Sequence, residues 1–199
     1  MQGLMRQMAG PVLGAVVLVH GGVGISTQSL MAQGAEHTNH ETGDPRGKAG
    51  ALVKAVREAT EKYRDVAVAE ADKYALAFGC VSGPDYGAMG LHYVNFPLAL
   101  DGELDVAKPE IVIYEPLPNG KVKLIGADYL VFAAAWHAKH PDETPKLGGQ
   151  LMHLIESPNR YGLPAFYTLH VWAWKESSTG PFVNWHPTVS CAAFDDQKD

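Results

Sequence analysis

Cysteine is scarce in this chain, positive charge is in deficit, and no apolar run escapes interruption for the length of a bilayer. Two cysteines in 199 residues, at positions 80 and 191, exclude a disulfide-dense scaffold and offer no CxxC pair for a structural zinc site. Sixteen Lys and Arg against 22 Asp and Glu, a net charge of −6, leave no basic stripe, which excludes nucleic acid as a partner. The same acidity disfavours anionic membranes. Local catalytic signatures are absent too. There is no G-x-S-x-G, no H-E-x-x-H, no phosphate loop and no dinucleotide fingerprint, so any chemistry must be assembled from residues distant in sequence.

What is present begins with an export pattern. Arg6 is the only charge among residues 1–34, Met8 to Val19 is an apolar run, and Ala32-Gln33-Gly34 supplies the small residues a signal peptidase reads. An uncleaved anchor is the alternative, but the glycines and Pro11 make a poor spanning helix. Residues 1–34 are therefore assigned to a signal peptide and the protein to a secreted or periplasmic location, with no stable membrane association after cleavage. The remainder, about 165 residues with a net charge of −7, is long enough for its own core. In an exported chain the two cysteines read as one Cys80–Cys191 disulfide.

Residues 35–47 are polar and aperiodic and read as a flexible lead-in to a single α+β domain over 48–199. Leu52, Val56, Ala59 and Tyr63 share one helix face, and Asp65 is placed to cap a second short helix whose inner stripe is Ala67, Ala71 and Tyr74. Cys80 follows these helices and Ser82 to Gly87 reads as a loop. A strand is expected over Leu91–Phe96, a hairpin over 111–132 turning at 116–120, a helical turn over Ala133–His140, and a second hairpin pairing 167–174 with 182–185. Helices first and hairpins after indicate α+β, with N-terminal helices packed on a curved antiparallel sheet or partial barrel.

Candidate site residues are the polar side chains inside apolar strands. Pairing Glu115 with Lys121 sets Asp128 on the face of Val112, Tyr114 and Leu124, where a carboxylate must be paired, protonated or metal-bound; a bulge at Gly126 would move it to the other face. His92 and His170 are strand histidines in apolar surroundings. With Asp128 they make a candidate triad for a divalent metal ion, and His153 is a further candidate ligand. Trp172 and Trp174 alternate with His170, and together with Tyr93 are assigned to shaping a ligand pocket. His137, His140 and His186, beside Pro or charge, read as surface residues.

The segments Gly87-Ala-Met-Gly-Leu-His-Tyr-Val-Asn95 and Leu169-His-Val-Trp-Ala-Trp174, with Cys80-Val-Ser-Gly-Pro84, Asn159-Arg-Tyr-Gly-Leu-Pro164 and Trp185-His-Pro-Thr-Val-Ser-Cys191, carry a resemblance. Over roughly residues 52–191 the chain resembles a family of uncharacterised exported bacterial proteins. That resemblance implies an acid–Tyr pair like Asp128-Tyr129 and histidines like His92 and His170, and brings no mechanism with it; His186 departs from the family's Asn.

Two functions are expected from these residues. One is an exported metal-site protein, and as an enzyme a metal-dependent one for hydrolysis or oxidation, using His92, His170 and Asp128. The other is a metal-free module binding a small apolar or aromatic molecule between the sheet and the helices.

Overall fold

The computed structural model describes residues 45–83 and 85–195, so the signal segment lies outside the described residues. Helix α1 (Pro45–Thr60) starts slightly ahead of the expected boundary, with Pro45 at its first position, where a missing N–H costs nothing. A 3₁₀ turn at Glu61–Arg64 carries Tyr63 inward, and Asp65 caps α2 (Val66–Ala71) by accepting a hydrogen bond from the Ala67 N–H. The inner residue of α2 is Ala69; Ala67 and Ala71 are exposed, while Tyr74, beyond the end of the helix, is buried as expected.

Six strands form one antiparallel sheet in the order β1 (Ala75–Gly83), β2 (Gly87–Val94), β3 (Ile111–Pro116), β4 (Val122–Phe132), β8 (Phe166–Val171) and β7 (His153–Ile155). Short α3 (Phe96–Ala99) and α4 (Ala133–Lys139) follow β2 and β4, the two-residue strands β5 (Lys146–Leu147) and β6 (Gln150–Leu151) pair separately, and α5 (Ala192–Asp195) ends the described chain. The fold is thus α+β with a curved antiparallel sheet. Among the described residues no helix is long and apolar enough to cross a membrane.

One face of the sheet receives the N-terminal helices: Leu52 and Val56 of α1 pack on Ala127, Tyr129, Val131, Leu169 and Val171, while Tyr63 and Ala69 pack on Val112, Tyr114 and Leu124. The opposite face carries Ile111, Ile113, Leu130 and Trp172. Asp128 belongs to this second face. The register is the cause. Glu115 pairs with Lys123, not Lys121, and the ladder then slips so that Ile113 faces Gly126 while Tyr114 faces Leu124. Ile125 is the extra residue of a β-bulge, and every side chain beyond it changes face.

Three further expectations are corrected. Ala75–Gly83 is an edge strand rather than a helix exit and loop, so Cys80 joins the sheet edge, and its disulfide with Cys191 ties the C-terminal tail to β1. Residues 182–185 form no second hairpin. The segment instead crosses the end of the sheet, with Trp172 N–H donating to Pro181 O and His186 bridging Ala88 through two backbone hydrogen bonds. His186, expected at the surface, is fully buried by that crossing and stands edge-on to Trp172 at 5.1 Å.

Candidate metal centre

His92 lies on β2, Asp128 on β4 and His170 on β8. Asp128 and His170 are direct cross-strand partners. His92 is three ladder spacings from His170, about 14 Å along a flat sheet, yet the two imidazoles stand 5.8 Å apart, edge to face. The sheet therefore curls toward this face, the one opposite α1, and its curvature converges the three side chains. One potential ligand atom from each lies within 4.8 Å of the others, and among the described residues this is the one group of three or more such side chains that does so. Metal bonds of about 2.1 Å set tetrahedral donors roughly 3.4 Å apart, so small side-chain rotations close the group on an ion.

All three are buried, at 6%, 4% and 3% exposure in chain order. Burial, reinforced by the neighbouring His170, pushes the His92 imidazole down to about 4. Burial also takes His170 down to about 3, with His153 adding to the effect. Asp128 moves the other way: burial raises it to about 6, against the opposing pull of His92 and of a hydrogen bond from Thr168 Oγ1 at 2.5 Å. At neutral pH the site is thus two neutral rings and a largely ionised carboxylate. The 3.6 Å separation of His170 Nδ1 from Asp128 is not an ion pair, because the ring is uncharged there.

Hydrogen bonding leaves donor atoms over. His92 Nδ1 is 3.2 Å from Gly90 O, which orients its ring. Neither ring nitrogen of His170 has a partner, although both are buried. Asn184 is near enough to favour the His170 proton but falls short of hydrogen-bond geometry, and its own Oδ1 is likewise unpartnered. Orphaned buried polar atoms are rare in folded proteins and are costly. A cation would take up the single lone pair that the neutral His170 ring offers and compensate the buried charge of Asp128.

The triad lines a small cavity of about 50 Å³, walled by Met89, Ile111, Leu130, Ile155, Tyr161, Leu163 and Phe166. This cavity opens on the face away from α1, not between sheet and helices.

The other sequence-assigned residues fall elsewhere. His153, on edge strand β7 opposite Thr168, is exposed and outside the ligand group. Tyr93 points to the helix face, packed on Tyr114 at 5.0 Å. Trp174 also turns to that face, since β8 ends at Val171, and its Nε1 donates to Thr60 Oγ1. Trp172 stays on the site face beside His170, 5.6 Å between rings. Thr168 and Asn184 join the site without having been singled out by sequence; alternation puts Thr168 on the His170 face, whereas nothing local marks Asn184. No family model matches the chain, and no curated protein or solved structure matches it either.

Proposed function

We propose that this is an exported protein, periplasmic or secreted, that holds one divalent metal ion on His92, Asp128 and His170 and uses it on a small molecule entering the cavity. The observation that carries this reading is the buried His170 with both ring nitrogens unpartnered beside a buried carboxylate. Two imidazoles and one carboxylate leave coordination positions for water or substrate, and such an ion would supply Lewis acidity or redox capacity, for hydrolysis or oxidation respectively. The protein's own part is to keep the rings neutral, hold Asp128 through Thr168 and exclude bulk water. The disulfide and the N-terminal export pattern support the location, and membership of the exported family that the chain resembles belongs to the same reading.

The test is metal titration of the chelated protein with Zn²⁺, Mn²⁺ and Fe²⁺. We expect one equivalent to bind, and His170→Leu and Asp128→Asn each to weaken binding at least tenfold. His170→Leu should leave the metal-free protein as stable as before, within about 1 kcal/mol, or more stable, because it removes unpartnered polar atoms. An unfolded His170→Leu variant beside a wild-type protein that takes up no metal would make His170 a core residue and end the reading.

A further inference from the structure

The walls of the triad cavity are fixed in place. Phe78 of β1 and Ile155 of β7 both line it, so the curl of the sheet brings its two outer strands to one space. The loop from β7 to β8 adds Tyr161 and Leu163. That loop is braced from within: Asn159 Oδ1 accepts the N–H groups of Tyr161 and Leu163, both at 3.2 Å, and Asn159 Nδ2 donates to Leu163 O at 2.8 Å. It is also tied to its surroundings. Both Arg160 Nη atoms donate to Ser82 O on β1 at 3.2 Å, and the Tyr161 hydroxyl donates to Met89 Sδ at 3.5 Å. The Tyr161 ring stands edge-on to Phe78 at 5.8 Å and to Phe166 at 6.2 Å.

Space and charge together narrow the guest. A single water needs about 10–15 Å³ of cavity, and an apolar cavity of about 150 Å³ admits benzene. The cavity here, about 50 Å³, has room for roughly three or four water-sized groups and none for a ring. Two neutral imidazoles and one carboxylate leave a divalent ion with one positive charge in excess. Neither a basic residue nor a second acid lines the cavity, and most of its walls are apolar, so no lining side chain compensates that charge. Uncompensated charge in apolar surroundings is costly, and a guest carrying a single negative charge removes it. The rim has the same sign as the loaded site, because the exposed Arg160 guanidinium lies over the Tyr161 ring at 5.9 Å. Asn184, whose Oδ1 is unpartnered, can present its amide N–H₂ to the guest after a half-turn of the side-chain amide.

Resting on the metal reading of the triad, we propose that the cavity binds one small monoanion, a carboxylate or oxyanion of a few atoms, as a ligand of the ion, and that Tyr161 sets the size limit.

The probe is formate, titrated into the cobalt-loaded full chain by calorimetry and by the visible absorption of the ion. Formamide is the uncharged comparison of the same size, and benzoate the larger carboxylate. Formate should bind saturably and at least tenfold more tightly than either. Tyr161→Ala should bring benzoate within about threefold of formate while cobalt uptake is unchanged. Phe78→Gly removes the facing ring and suits the φ of 63° at that position; it gives the same reading if Tyr161→Ala does not fold. Cobalt uptake without formate binding, or with formamide bound equally well, overturns the proposal and leaves the metal site standing. So does benzoate binding as tightly as formate to the wild-type protein, or benzoate still excluded from both variants. A chain that takes up no cobalt overturns the metal reading, and this proposal with it.

Discussion

Glu110 stands just ahead of β3, buried to 2% exposure, its Oε2 accepting the Leu130 N–H at 3.0 Å. Burial raises its carboxyl from 4.5 to about 8, with the Leu130 hydrogen bond opposing. Between those two values the native state keeps a proton that the unfolded chain has released. The contribution is therefore complete below the unfolded value, diminishes as pH rises, and is gone above the native one. His92, His170, His186 and Asp128 have nearly completed their own changes by pH 7, so Glu110 dominates from pH 7 to 8.5. Urea unfolding of the metal-free protein should show about 1–2 kcal/mol lost across that interval, and Glu110→Gln should flatten the profile. An unchanged slope in the variant would mean Glu110 is already ionised in the fold. At this same scale the sequence is informative about chemistry: a carboxylate and two histidines stand out as exceptions within apolar strands. His186 does not stand out, since its burial comes from backbone pairing with Ala88, far away in the chain.

Among the elements, β4 decides the site. Its bulge at Ile125–Gly126 carries Asp128 from the helix face to the cavity face, and a glycine inside an apolar strand is the sequence signal for such a bulge. A Cβ at Gly126 would lie 2.5 Å from Val171 O and 3.3 Å from the Trp172 Cα. Gly126→Ala should therefore push β8 off β4, costing about 1–3 kcal/mol, and weaken metal binding by separating Asp128 from His170. Paired measurement of the urea midpoint and the metal affinity checks this; a neutral substitution would show that the strands have slack there. Helix α1, the Asp65 cap and α4 are legible in sequence because each rests on local spacing or one capping residue. Strand β1 is hidden, since Ala75–Gly83 lacks alternation and its glycine and left-handed Phe78 interrupt the pattern. The 182–185 segment resembles a strand in composition, but the hydrogen bonds around it run to Trp172 and, at His186, to Ala88, which no window of sequence reveals.

For the whole molecule, the Cys80–Cys191 bridge spans 111 residues and fixes the crossing segment to the edge of the sheet. Closing a loop of that size is worth about 5 kcal/mol on the chain-entropy model, with smaller values usual in practice. The Cys80→Ser/Cys191→Ser double variant should lose about 2–5 kcal/mol, measured as the drop in unfolding free energy against the oxidised protein. An equal stability would mean that the tail is held by packing alone. The triad makes a related demand on topology. Its three side chains come from β2, β4 and β8, separated by dozens of residues, and no two lie close enough in sequence to chelate on their own. An unfolded or half-made chain therefore lacks this site. The metal would be the last component to arrive, entering through the finished mouth, so its identity would be settled by whichever cations surround the protein where folding ends.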